Sequence, residues 1–214
     1  MMITFYIFIS LFTINSIIHC YSNYKKIETI RVITKPFCML FLALSVIMIR
    51  SNYPLLYIAL FFALIGDVLL LFKKNRILFI LGGTCFAIEH VLNFITISNI
   101  IGNVPFYVYI ITYVSIYTFG LLGLIRKEKK LLSYIATSYF NFHLSNIIIS
   151  IIALILTKNI LFLLVIFGYI FFAFSDFLIA FRIFYHDFKN RSFYLIVTYL
   201  ISQVMIMMGL VFIL

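Results

Sequence analysis

The sequence predicts an all-α protein, a polytopic membrane helix bundle of about eight transmembrane helices. Three observations lead there. First, 65% of the 214 residues are hydrophobic and only 10% are charged, against about 45–50% and about 25% in soluble domains. One globular core cannot bury that excess, so the surrounding solvent is lipid. Second, the apolar runs are continuous and about twenty residues long, the length a membrane helix needs. Barrel strands alternate and are about half as long. Backbone groups facing lipid must be paired within the segment, which a helix achieves. Third, Lys and Arg alternate between connections as topology demands.

Eight spans follow along the chain: Met2–His19, Pro36–Ile49, Pro54–Phe72, Ile77–Ser98, Val104–Ile125, Leu131–Leu156, Ile160–Phe181 and Phe193–Leu214. The first has no basic lead and no small-residue cleavage site, so it reads as a retained span rather than a cleaved signal. The second is short. It opens at Pro36, a favoured first-turn residue, or a turn earlier near Val32. Fourteen of the 16 Lys and Arg fall in the odd-numbered connections, and only Arg50 and Lys158 in the even ones. The odd connections are therefore expected to be cytoplasmic, with both termini outside. The net charge of +10 is read as this topological signal, not as a nucleic-acid surface. Cys20, Cys38 and Cys85 lie in or beside apolar runs without CxxC spacing and read as small apolar fillers. One transmembrane domain, residues 1–214, is expected, in a bacterial inner (plasma) membrane.

Only six residues are acidic, and two of them lie deep in spans. FFALIGDVLLLF carries Asp67 after Gly66, and FGYIFFAFSDFLIAFRIF carries Asp176 after Ser175. Both fit the frame small–Asp–x–Leu–x–x–Phe. A charge in hydrocarbon costs about 2.5–3.5 kcal/mol even on insertion scales, so such residues are paired or functional. Each aspartate lies five residues before the phenylalanine that closes its span. At about 1.5 Å per residue both sit roughly 7–8 Å from the cytoplasmic ends, in one layer. Spans three and seven are four apart and run the same way, which points to two related four-helix halves. Small residues at Gly66 and Ser175 let neighbouring helices come close.

Other polar residues lie within the spans: Glu89 and His90 in the fourth, Asn141, His143 and Asn146 in the sixth, and Gln203 in the eighth. Asn141, His143 and Asn146 read as ordinary interhelical hydrogen bonders. Glu89 reads as a proton-relay member or a capped protonated acid. Lys35, at the mouth of span two, can snorkel or meet a phosphate.

These residues resemble the lysoplasmalogenase (YhhN-like) membrane family. The matching pieces are Lys35–Pro36; Gly66–Asp67 with Leu69 and Leu70; Phe86, His90 and Phe94; Gly168, Phe172, Ser175–Asp176, Leu178, Ala180 and Phe184; and Thr198–Tyr199, Gln203 and Gly209. The chain departs at Glu89, where a small residue is usual, and at Asn93, where an aromatic is. The resemblance implies hydrolysis of the vinyl ether bond of a lysophospholipid, giving a fatty aldehyde and glycerophospho-ethanolamine or -choline. Its partners would be that single-chain lipid and the bilayer, with no nucleic acid, no cofactor and no metal. The chemistry needs an acid that protonates the outer alkene carbon and a carboxylate that steadies the cation and activates water. Asp67 and Asp176 are the expected pair. His90, Gln203, Glu89, Ser175 and Tyr199 would position water or the glycerol hydroxyl, and Lys35 the phosphate. Two rivals remain: a metal-dependent lipid hydrolase using His90, His143, Asp67 and Asp176, and a proton-coupled carrier.

Overall fold

A computed structural model describes residues 2–49, 54–72, 75–102 and 130–214, with backbone alone for 130–138 and 183–184. It contains α1 (Met2–Lys25), α2 (Glu28–Ile49), α3 (Pro54–Leu69), α4 (Arg76–Ile101), α5 (Lys130–Thr157), α6 (Phe162–Phe184) and α7 (Arg191–Ile213). Among the described residues there is no strand, and seven helices are long and apolar enough to cross a membrane. The expected span Val104–Ile125 lies outside the described residues.

Most helices begin and end within a few residues of expectation, and the exceptions have local causes. After Leu69, α3 tightens into a 3-10 turn at Leu70–Phe72. Asn75 caps α4, its Oδ1 accepting from the Ile77 and Leu78 amides at 3.0 and 3.3 Å. Gly102, at φ +79°, closes it.

Helix α1 runs six residues past His19. Its polar end is satisfied inside protein: Ser22 and Asn23 donate to the His19 carbonyl at 2.7 and 2.8 Å, and His19 Nδ1 meets Thr34 Oγ1 of α2 at 2.7 Å.

Helix α2 corrects the expected start. It opens at Glu28, whose charge suits a helix N-terminus, and carries Pro36 in its interior. Pro36 supplies no amide to the ladder. At this level Asn15 of α1 donates to the Thr34 carbonyl at 2.8 Å, so α1 braces α2 there. Lys35 therefore lies two turns inside a helix, not at its mouth.

Packing runs in order round the bundle. Each described helix packs on the next, and α7 returns to α1 and α2. Two seams are glycine-tight. A Cβ on Gly66 would sit 2.8 Å from the Phe86 ring, and one on Gly168 would sit 2.6 Å from Ile206. The first seam joins α3 to α4, the second α6 to α7. The burial pattern is inverted relative to a soluble protein. Ile3, Ile17, Phe61 and Phe177 face outward, whereas Asp67, Glu89, His90, Asn93, His143 and Gln203 are each at most 1% exposed. Polar groups inside and large apolar groups outside define an integral multi-pass membrane protein.

Candidate active site

Asp67 is placed by the tight α3–α4 seam at Gly66. Its Oδ1 lies 3.1 Å from Lys35 Nζ, and its Oδ2 accepts a 3.0 Å hydrogen bond from the Tyr199 hydroxyl. Three helices, α2, α3 and α7, thus meet at one carboxyl. This revises the expected place of Lys35. The two extra turns of α2 carry its ammonium into the bundle, where Asp67 takes it. It does not wait at the surface for a phosphate. The partner comes from 32 residues upstream, on a neighbouring helix.

Asp176 has a different setting. Its Oδ2 lies 2.8 Å from His143 Nε2, and its side chain is 20% exposed while that of His143 is fully buried. One proton between them completes the bond, on either atom. The sequence reads His143 as an ordinary interhelical hydrogen bonder or, in the metal rival, a ligand; the bond it makes is to Asp176.

Aromatic rings link the two centres. The Phe172 ring lies 4.9 Å from His143, 4.7 Å from His90 and 5.5 Å from Tyr199, centroid to centroid. Phe86 stands 5.8 Å from Tyr199 and 6.0 Å from Phe172. Phe172 therefore separates the Asp67 group from the Asp176 group, and among the described residues no hydrogen bond joins the two carboxyls. Glu89 accepts from Gln203 Nε2 at 3.3 Å, and it lies within electrostatic reach of both aspartates. His90 packs against His143 at 4.6 Å, and neither of its ring nitrogens has a hydrogen-bond partner among the described residues.

Lys35, Asp67 and Tyr199 thus form one group, His143 and Asp176 a second, and Glu89 with Gln203 a third. Ser175 lies apart in role, since its hydroxyl donates to the Leu195 carbonyl at 3.2 Å and ties α6 to α7. The roles of two contributors escaped the sequence reading. His143 carried a signal, a titratable side chain in the middle of a span. Phe172 was named only as one of the residues that carry the resemblance, with no role attached. Among the described residues, no three His, Cys, Asp or Glu side chains gather as metal ligands. A cavity of about 490 Å³ opens among Pro54, Leu56, Thr96, Asn99 and Ile213. It begins thirteen residues from Asp67 along α3, roughly 20 Å away, so it is not part of these centres.

Fold and site together define a polytopic membrane protein with two unlike acid centres enclosed in its helix bundle. Residues 30–210 match the YhhN family, and the chain belongs to that family. No curated protein and no solved structure matches it.

Proposed function

We propose that the protein hydrolyses the vinyl ether bond of lysoplasmalogen-type lysophospholipids, releasing a fatty aldehyde and a glycerophospho-alcohol. Family membership supports the reading. The observation that carries it is a pair of carboxyl centres, one buried and one partly exposed, with different partners on either side of Phe172. The Asp176–His143 pair shares a proton and holds the more exposed carboxyl, which suits a donor to the outer alkene carbon. Asp67 accepts from Lys35 and Tyr199, which suits a group that steadies a cation and takes the proton of the attacking water. The face of Phe172 between them favours a passing positive charge. A lipid with one chain enters sideways and leaves its tail in the bilayer. On the charge distribution, the acid layer lies in the cytoplasmic half.

The test is fatty-aldehyde release from a lysoplasmalogen in detergent. Wild type is compared with Asp67→Asn and Asp176→Asn, each with and without a strong chelator. Each substitution is expected to cost roughly 10²–10⁴-fold, the usual weight of a positioned acid or base, with no effect of chelator. Aldehyde lost on chelation alone moves the reading to a metal hydrolase. No aldehyde from folded wild type removes it.

A further inference from the structure

The proposed hydrolysis leaves protons in the wrong places. Asp176 gives a proton to the alkene carbon as the C–H bond forms and the π electrons leave an oxocarbenium. Water adds, its oxygen bonding to the neighbouring carbon that bears the ether oxygen, and one of its protons goes to Asp67. Collapse of the hemiacetal then moves its hydroxyl proton to the departing glycerol oxygen as the C–O bond breaks, which is neutral overall. Each turnover thus ends with Asp176 one proton short and Asp67 one proton over.

Asp67 is 1% exposed, so bulk water does not collect its proton directly. Between the two aspartates stand Phe172 and Phe86, which carry no exchangeable proton. Glu89 is the remaining acid there. It lies on α4, the helix that packs on both α3 and α5. Its Oε2 accepts from Gln203 at 3.3 Å, while its Oε1 is buried without a partner among the described residues. Gln203 from α7 is the group it meets by hydrogen bond, and the ionisable groups within electrostatic reach of it are Asp67 from α3, Asp176 and Tyr169 from α6, Tyr139 from α5 and Tyr199 from α7. Its residue has no accessible surface, so no molecule-sized ligand fits beside it. A proton does.

We propose that Glu89 carries the proton from Asp67 back to Asp176 after each turnover, with Gln203 holding the carboxyl in place. The inference rests on the hydrolysis reading above. This revises the expectation that Glu89 positions water or the glycerol hydroxyl: its residue has no accessible surface, so it touches no substrate and acts through the two aspartates as a positioning residue in the proton path. A purely structural role for the Glu89–Gln203 bond predicts something else: Glu89→Gln keeps the side-chain length and the interhelical hydrogen bond and removes only the titratable proton.

The experiment compares the first turnover with later ones, using rapid mixing of a lysoplasmalogen in detergent with wild type and Glu89→Gln. The variant is expected to release about one aldehyde per chain at the wild-type rate. Its later turnovers slow by roughly 10²-fold. Steady turnover at the wild-type rate overturns the proposal, and so does equal slowing of first and later turnovers. Should Glu89→Gln not fold, Glu89→Asp carries the same test. It keeps a carboxyl on a shorter stem, and the same split between first and later turnovers is expected. Wild type without aldehyde overturns the hydrolysis reading itself, a result visible before any variant is mixed.

Discussion

Asp67 and Asp176 sit in the same local frame, yet they occupy different chemical settings. Asp67 is enclosed, with a lysine on one oxygen and a tyrosine hydroxyl on the other. Asp176 is partly open and has a single imidazole partner. Their helices differ too. After Asp67 the chain tightens into the Leu70–Phe72 3-10 turn, whereas α6 continues as α-helix to Phe184. The shared frame brings each carboxyl to the bundle interior; the partners arriving from other helices make one a fixed charge pair and the other a proton-sharing pair. A repeat in sequence thus places groups without assigning their roles.

The strongest test of this difference is Lys35→Met. Asp67 then stays buried against Tyr199 with its cation gone. Leaving one partner of a buried pair unmatched costs about 3–5 kcal/mol, whereas replacing both partners by apolar groups is often neutral. Lys35→Met is therefore expected to lower stability in mixed-micelle unfolding by that amount, and Lys35→Met with Asp67→Leu to recover most of it. A single variant as stable as wild type would remove the charge pair from the account.

His143→Gln probes the other centre. Glutamine can still meet Asp176 by hydrogen bond but cannot take up a proton. Aldehyde release is expected to fall about 10²-fold, with a smaller stability loss than for Lys35→Met. His143→Asn, whose shorter side chain loses the bond to Asp176 as well, is expected to be no more active than His143→Gln. If His143→Gln kept the wild-type rate, the imidazole would be a structural partner and Asp176 would act alone.

How far these centres could be read in advance depended on which coordinate of a residue mattered. Depth in the membrane follows from run length and charge, so the helices and the inward aspartates were legible. Rotation about a helix axis leaves a weaker trace, because lipid and bundle interior are both apolar. Tyr199 could therefore be singled out without showing that it meets Asp67. Lys35 was set at the surface because Pro36 looked like a helix start. The proline sits inside α2, where the helix is braced by Asn15 and His19 of α1, both distant in sequence. His143 was read as an interhelical hydrogen bonder or a metal ligand, because its place in the span does not show which carboxyl its ring can reach. Phe172, one phenylalanine among 26, counted toward the resemblance, but its place between the two centres is set by the packing of helices and not by its run.

The smallest effect belongs to the turn that joins α6, carrying Asp176, to α7, carrying Tyr199. Asp187 accepts from Arg191 Nε at 2.7 Å and lies 3.5 Å from Arg182 Nε. The hydrogen bond from Arg191 holds its carboxyl below the usual carboxylate range, against a lesser upward push from burial. A depressed carboxylate stabilises the fold above its unfolded value, near pH 3.9, and that stabilisation fades as pH falls through the folded value. Its side chain is 53% exposed, so solvent screens the pair and Asp187→Ala is expected to cost only about 0.2–1 kcal/mol at neutral pH. The difference from wild type should vanish in strong acid, with aldehyde release nearly unchanged. A loss as large as that of Lys35→Met, or one that persists in acid, would make this turn the element that spaces the two centres. A small acid-sensitive loss leaves that task to the Gly168–Ile206 seam, where the backbones of α6 and α7 are already in contact and no charge is involved.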